Sequence, residues 1–157
     1  MKRYGIVLAA GQGKRMKSKT YKVLHPVCGK PMVGHVTDAL KQAGIDRTLV
    51  IVGHGADAVR DYLGERAEYV MQHEQLGTGH AVLQAAPILA EEDGLSIIVC
   101  GDTPLIQGET IQRLAEYHER SGAAATILTA EVEDPAGYGR IIRGVNGEVA
   151  RIVEHKD

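Results

Sequence analysis

The densest chemistry in the chain lies just behind its first apolar run. Leu8-Ala9-Ala10-Gly11-Gln12-Gly13-Lys14-Arg15-Met16 leads on to Lys22, and five cations (Lys14, Arg15, Lys17, Lys19 and Lys22) fall within nine positions. Like charges held this close repel one another unless an anion offsets them. Adjoining glycines let backbone amides approach phosphate oxygens. Two familiar phosphate loops do not fit. A dinucleotide fingerprint needs Gly or Ala where Met16 stands, and the first acid, Asp38, falls inside a helical pattern. A Walker loop needs Ser or Thr after Gly-Lys, where Arg15 stands, and its first glycine is replaced by Leu8. Two readings remain, a triphosphate cradle and a solvated loop, and the glycines at a strand end favour the cradle. A second constellation is Cys100-Gly101-Asp102-Thr103-Pro104-Leu105, a carboxylate at the end of another apolar run. Facing a polyphosphate it suits Mg²⁺, which takes one or two carboxylates plus phosphate oxygens. Equally, Asp102 could cap the turn before Pro104.

These groups need a scaffold that brings strand ends together. Ile6-Val7-Leu8-Ala9, Leu49-Val50-Ile51-Val52, Tyr69-Val70-Met71 and Ile97-Ile98-Val99-Cys100 read as short buried strands. Between them lie helical patterns opening at Pro31, spanning Asp57 to Leu63, capped by Thr78 and running toward Leu89, and spanning about Glu109 to Arg120. Strands alternating with helices predict a mostly parallel α/β sheet covered on both faces. Ala125 to Ala130 reads as a further strand, and Ile141 to Val153 as a hairpin turning at Asn146-Gly147, so an antiparallel addition is expected. In open α/β sheets ligands bind beyond the carboxyl ends of the strands. Gly11 to Lys22, Gln72 to Thr78 and Gly101-Asp102 all leave such ends, so the site is expected where they meet.

Composition narrows the ligand. With 157 residues, 44% hydrophobic and 24% charged, the chain reads as one globular domain rather than a disordered tail, fibre or disulfide miniprotein. No apolar run approaches the ~20 residues of a membrane span, and the start lacks a signal-peptide pattern. Cys28 and Cys100 fit no metal spacing and read as packed free thiols of a cytoplasmic protein. The net charge of −2 hides a division: eight Lys/Arg and no acid precede Asp38, while ten bases and all twenty acids follow. Trp and Phe are absent and the six Tyr are scattered, so platforms for stacking bases are scarce. The charge pattern therefore points to a small-molecule phosphate and away from nucleic acid.

Read together, the motifs resemble one family. They are Leu8 to Met16, Lys22, Gln72-His73-Glu74-Gln75-Leu76-Gly77-Thr78-Gly79-His80-Ala81, Gly101-Asp102, Gly137-Tyr138-Gly139-Arg140 and Val153-Glu154-His155-Lys156-Asp157. The chain is similar, from first residue to last, to the uridylyltransferase domain of the bacterial bifunctional GlmU family, N-acetylglucosamine-1-phosphate uridylyltransferase/glucosamine-1-phosphate acetyltransferase. The resemblance implies a Rossmann-like, nucleotide-diphospho-sugar transferase (GT-A-like) fold. It also implies in-line attack of N-acetylglucosamine 1-phosphate on the α-phosphorus of UTP, giving UDP-N-acetylglucosamine and pyrophosphate, with Mg²⁺ as cofactor. By motif, Leu8, Ala9, Ala10, Gly11 and Gly13 would embrace the nucleotide, and Arg15 and Lys22 would neutralise the triphosphate. Asp102, beside Gly101, would hold the metal. Gln72 would read uracil, with Gly77 and Thr78 completing the pocket. Gly139 and Glu154 would meet the sugar. Lys14, Lys17 and Lys19 would add general field or be solvated surface.

The same resemblance implies missing parts. The family's catalytic domain continues past Asp157, supplying more sugar contacts and an asparagine that shares the metal. The trimer-forming acetyltransferase β-helix lies further on. The expectation is therefore one incomplete domain, with a nucleotide part over 1–122 and the start of a sugar part over 123–157, that binds UTP weakly and turns over little. The alternatives are another sugar-1-phosphate nucleotidyltransferase using dTTP, CTP or GTP, and a non-catalytic nucleotide-binding module.

Overall fold

Along the first apolar run, successive side chains bury on opposite faces of one sheet: Val7 is 0% exposed in one core and Ile6 2% exposed in another. A strand buried on both faces is what a helix-covered parallel sheet requires. The computed structural model describes residues 1–154, the Lys14 side chain excepted; His155, Lys156 and Asp157 of the closing motif lie outside them. The chain divides into two compact units, Met1–Gly122 and Ala123–Asp157.

In the first unit, β1 (Lys2–Leu8) is followed by a small hairpin, β2 (Pro26–Val27) with β3 (Lys30–Pro31). Then come α1 (Met32–Gln42), β4 (Arg47–Val52), α2 (Ala56–Leu63) and β5 (Glu68–Met71). Two short helices, α3 (Thr78–Leu83) and α4 (Ala86–Leu89), precede β6 (Gly94–Cys100) and α5 (Gly108–Ser121). The strands order β5-β4-β1-β6 and every pair is parallel. Val33, Val36 and Leu40 form the apolar stripe of α1, each 0% exposed, and burial of such side chains contributes about 1.5–3 kcal/mol apiece. With Val59 and Leu63 of α2 and Ile111 and Ala115 of α5 they cover one face of the sheet. Ala81, Ala85, Ile88 and Leu89 cover Ile6, Leu49 and Ile51 on the other.

Register sets the functional edge. Leu8 pairs with Ile51 on one side and Cys100 on the other, and Val52 pairs with Met71, so the carboxyl ends of the strands are level. From β1 the chain steps outward to β4 and β5, then crosses back to β6. The reversal lies between β1 and β6, where open α/β sheets place ligands. At the amino ends, Arg47 donates to both Glu68 oxygens at 2.9 Å and to Glu92 at 2.9 Å, and Tyr4 Oη donates to Glu92 at 2.7 Å. Arg3 clamps Glu119 at 3.0 and 3.1 Å.

Three expectations are corrected. Thr78 does not cap its helix; Gly77 holds the cap position and Thr78 is the first helical residue. The helix does not run unbroken to Leu89, because Pro87 has no N–H for the Leu83 carbonyl. Instead Gln84 N–H and Ala85 N–H close tight turns onto Ala81 and Val82. Residues 125–130 form no strand, since β-propensity yields a strand only where a partner supplies the ladder.

Within the second unit, β7 (Arg140–Arg143) pairs antiparallel with β8 (Val149–Val153), with an irregularity at Ile142/Arg143. Gly147, at φ +83°, closes the expected turn by donating to Gly144 O at 3.0 Å. Among the described residues no helix is long and apolar enough to cross a membrane.

Candidate active site

Three backbone hydrogen bonds extend the sheet one residue past its strands and fix the floor of a pocket. Ala9 N–H donates to Ile51 O at 2.9 Å, Gly101 N–H to Leu8 O at 2.9 Å, and Gln72 N–H to Val52 O at 2.8 Å. Above this floor lies a cavity of about 330 Å³ whose wall includes Leu8, Ala10, Gly11, Lys22, Gln72, Gly77, Thr78 and Asp102. Eight residues singled out from sequence thus meet at one place. Ala9 is buried beneath it. A Cβ on Gly101 would stand 3.0 Å from Leu8 O, so a larger residue would crowd the turn of β6 against β1.

The basic loop is hung from its two ends. Gly13 sits at φ +61°, and Met16 N–H donates to its carbonyl at 2.8 Å, closing a single 3₁₀ turn. At the far end the Tyr21 ring meets His54 edge-on at 5.5 Å, so His54 braces the loop as well as turning the chain after β4. Val23 is 5% exposed, and the 3₁₀ turn Lys22–Leu24 points Lys22 at the cavity. Of the expected cations Lys22 reaches the wall; Arg15, Lys17 and Lys19 stand exposed on the loop.

Lys22 forms an ion pair with Asp102, with side chains 34% and 29% exposed. The turn after β6 is closed by Thr103, whose hydroxyl donates to Cys100 O at 2.6 Å, while the Asp102 carboxylate faces the loop cation. Opposite them Gln72 is 3% exposed. Its Nε2 lies 3.3 Å from Gly77 O, to which it donates, and 3.0 Å from His80 Nδ1. Where His80 Nδ1 is bare, both amide hydrogens are engaged inside and the carboxamide oxygen is the group left for a ligand. Gly77 makes this possible: at φ +103°, ψ 179° its backbone occupies a region essentially restricted to glycine.

Sequence reasoning missed Val23, Gln75, Ala81 and Cys100, which complete the wall. Gln75 carried a signal, a second amide in the same loop. Cys100 and Cys28 were expected as packed thiols, yet both are exposed. Cys28 occupies the β2–β3 turn, and Cys100 is on the face of β6 that α3 and α4 leave open, with Ile98 beside it 51% exposed. Partial burial against the wall, then the Asp102 charge, push the Cys100 thiol up and keep it protonated. Gly139 and Glu154 fall in the second unit, where a Cβ on Gly139 would lie 3.6 Å from the Glu154 carboxylate oxygens.

Comparisons with known proteins bear on this geometry. Residues 5–149 match the family model described as the MobA-like NTP transferase domain. Over all 157 residues the chain is 60% identical to the bifunctional protein GlmU of Geobacillus sp. strain WCH70, and 59% identical to that of Geobacillus thermodenitrificans. It spans 34% of the length of each of these relatives. Among solved structures, Rv0371c of Mycobacterium tuberculosis H37Rv superposes with a TM-score of 0.67 at 25% identity, covering 76% of this chain and 61% of that one. A nucleotidyl transferase from Methanothermobacter shares the fold, with a TM-score of 0.65 at 24% identity over 74% of this chain and 57% of its own.

Proposed function

The chain belongs to the MobA-like NTP transferase family, and on that premise we propose that its first unit holds UTP for uridylyl transfer to N-acetylglucosamine 1-phosphate. The reaction forms a bond from the sugar phosphate oxygen to the α-phosphorus of UTP, breaks the bond to pyrophosphate, and yields UDP-N-acetylglucosamine. The observation that carries the reading is the Lys22–Asp102 pair at the sheet's reversal point, lining one cavity with Gln72. A cation for phosphate, a carboxylate for metal and an acceptor for a base N–H are what a nucleoside triphosphate requires.

Asp102 fits a magnesium ion that arrives with the nucleotide. Among the described residues no group of three or more His, Cys, Asp and Glu side chains could hold a metal alone. A single carboxylate suffices for Mg²⁺ when phosphate oxygens and waters supply the rest. When bound, the ion offsets triphosphate charge. Lys22 then contacts the phosphates, and Arg15 on the loop adds to the field that stabilises departing pyrophosphate. The backbone from Leu8 to Gly11 holds the nucleotide in line, so positioning rather than a covalent intermediate supplies the rate. Gly139 and Glu154 begin the sugar side, the carboxylate accepting from sugar hydroxyls. Residues 1–122 then form the nucleotide part and 123–157 the start of the sugar part.

Gln72 Oε1 matches the N3–H of uracil and opposes the bare N3 of cytosine. An unmade buried hydrogen bond costs about 1–3 kcal/mol, hence roughly a 5- to 150-fold preference for UTP over CTP. Calorimetric titration with UTP, CTP, GTP and dTTP, with and without Mg²⁺, tests this. The expected result is Mg²⁺-dependent UTP binding with CTP weaker by that factor, whereas equal binding of UTP and CTP overturns the uracil assignment. Pyrophosphate release from UTP that needs both N-acetylglucosamine 1-phosphate and Mg²⁺ is the matching turnover measurement.

A further inference from the structure

We propose that His80 is a positioning residue that sets base selectivity by fixing which end of the Gln72 carboxamide faces the pocket, and that Gln84 sets the tautomer of His80. The inference rests on the reading that the pocket takes the base of UTP.

A carboxamide can be turned end for end within the same volume, and turning Gln72 would present N–H donors where uracil needs an acceptor. Something must therefore hold it. Gly77 O, at 3.3 Å, is a long contact and engages one hydrogen. His80 Nδ1, at 3.0 Å, engages the second only if that ring nitrogen is bare. The imidazole is clamped from its other side by Gln84, whose amide lies 3.2 Å from His80 Nε2 and 3.0 Å from His80 O. A neutral imidazole carries one hydrogen, so its two nitrogens cannot both accept from amide N–H groups.

Burial decides which contact survives. Gln72 is only 3% exposed, so an unmet amide hydrogen there is costly. Gln84 is only half-buried, and its side chain can turn its oxygen to the ring or exchange the contact for water. The favoured state has Nδ1 bare, Nε2 protonated, and the Gln72 oxygen toward the ligand. With the opposite tautomer, Nδ1–H would draw the Gln72 oxygen inward and present N–H groups suited to cytosine.

The test is the ratio of UTP to CTP affinity in Mg²⁺, measured by calorimetry alongside thermal melts. His80→Leu removes the acceptor and is expected to bring the ratio to within about threefold of unity, while His80→Asn, whose Oδ1 can stand near Nδ1, restores part of it. Gln84→Glu accepts only, favours Nε2–H, and is expected to keep or raise the ratio. Gln84→Lys donates only and lowers it. Because Gln84 is half-exposed, this second pair keeps the idea testable if His80→Leu does not fold. A role confined to packing would weaken UTP and CTP alike and leave the ratio unchanged. Folded His80→Leu with the parent ratio, or equal ratios in the two Gln84 variants, overturns the inference. Absence of UTP preference in the parent protein instead overturns the function on which it rests.

Discussion

Gly13→Ala isolates the link between loop geometry and nucleotide binding. Gly13 lies at φ +61°, where a side chain costs about 1–2 kcal/mol. Its new Cβ would fall 2.7 Å from the Lys22 Cβ, roughly 1 Å inside a comfortable carbon contact. Lys22 cannot yield by changing rotamer, because its Cβ is fixed by a backbone that Tyr21 and the buried Val23 hold in place. Overpacking of that kind adds about 1–3 kcal/mol. The loop backbone around Gly13 must move instead, and residues 15–20 beyond it are exposed, so little of the fold rests on them. The variant therefore melts within about 1 kcal/mol of the parent, and the strain of roughly 2–5 kcal/mol is felt when a ligand demands the original loop. At 1.4 kcal/mol per decade, UTP affinity falls by between about 30-fold and several thousand-fold. Calorimetric titration gives the affinity and a urea melt the stability. Gly29→Ala is the control: Gly29 sits at φ +78° with nothing within 4 Å of an added Cβ, so it incurs backbone strain without touching Lys22. Gly13→Ala with both stability and UTP affinity unchanged would refute the reasoning, and so would an equal loss of affinity in the Gly29 control.

Asp102→Asn separates structure from chemistry: an ion pair about a third exposed is worth under about 1 kcal/mol, so the melt barely shifts, whereas Mg²⁺ no longer strengthens UTP binding in a titration with and without the ion. Acid weakens the fold through Glu68, Glu92 and Glu119. Arg47 beside Glu68, Tyr4 Oη and Lys2 beside Glu92, and Arg3 beside Glu119 hold these carboxyls below the usual range. Groups with depressed pKa add stability above the unfolded value near ~4.3, and that contribution is lost as pH falls through their folded values; urea melts from neutral pH down to pH ~3 should show it, with a shallower slope in Arg47→Met. Ile51→Ala, at a position 0% exposed between β1 and β5, costs about 2–5 kcal/mol by the same melts, and a loss under about 1 kcal/mol would contradict the core assignment.

Much of this fold was legible because periodicity encodes which face a residue buries. The stripe of Val33, Val36 and Leu40 and the double-faced run of Ile6 and Val7 have one solution each, a covered helix and a central strand. Periodicity says nothing of neighbours, and the errors follow from that. Cys100 ends an apolar run that reads as fully buried, but β6 has a partner on one side and helices over one face, so alternate residues Ile98 and Cys100 are exposed. Residues 125–130 carry strand-forming side chains without forming a strand. Thr78 is a good cap by type, yet the chain enters α3 through a conformation open only to glycine, which places the cap one residue earlier.

The site shows the same division more sharply. Gly11 to Lys22 and Gly101-Asp102 declared themselves through composition, since clustered cations beside glycines, and a carboxylate at a strand end, are unusual wherever they fall. That they meet is a consequence of register, because Leu8 pairing with both Ile51 and Cys100 levels the three strand ends. The direction of the Gln72 amide belongs to neither level. It depends on the Gly77 carbonyl and, under the proposed tautomer, on His80 Nδ1 as a second acceptor, and on how far each amide is from water. Residue type can therefore nominate Gln72 as a reader of bases, while in the proposed site the base it would read is set by an imidazole eight positions away.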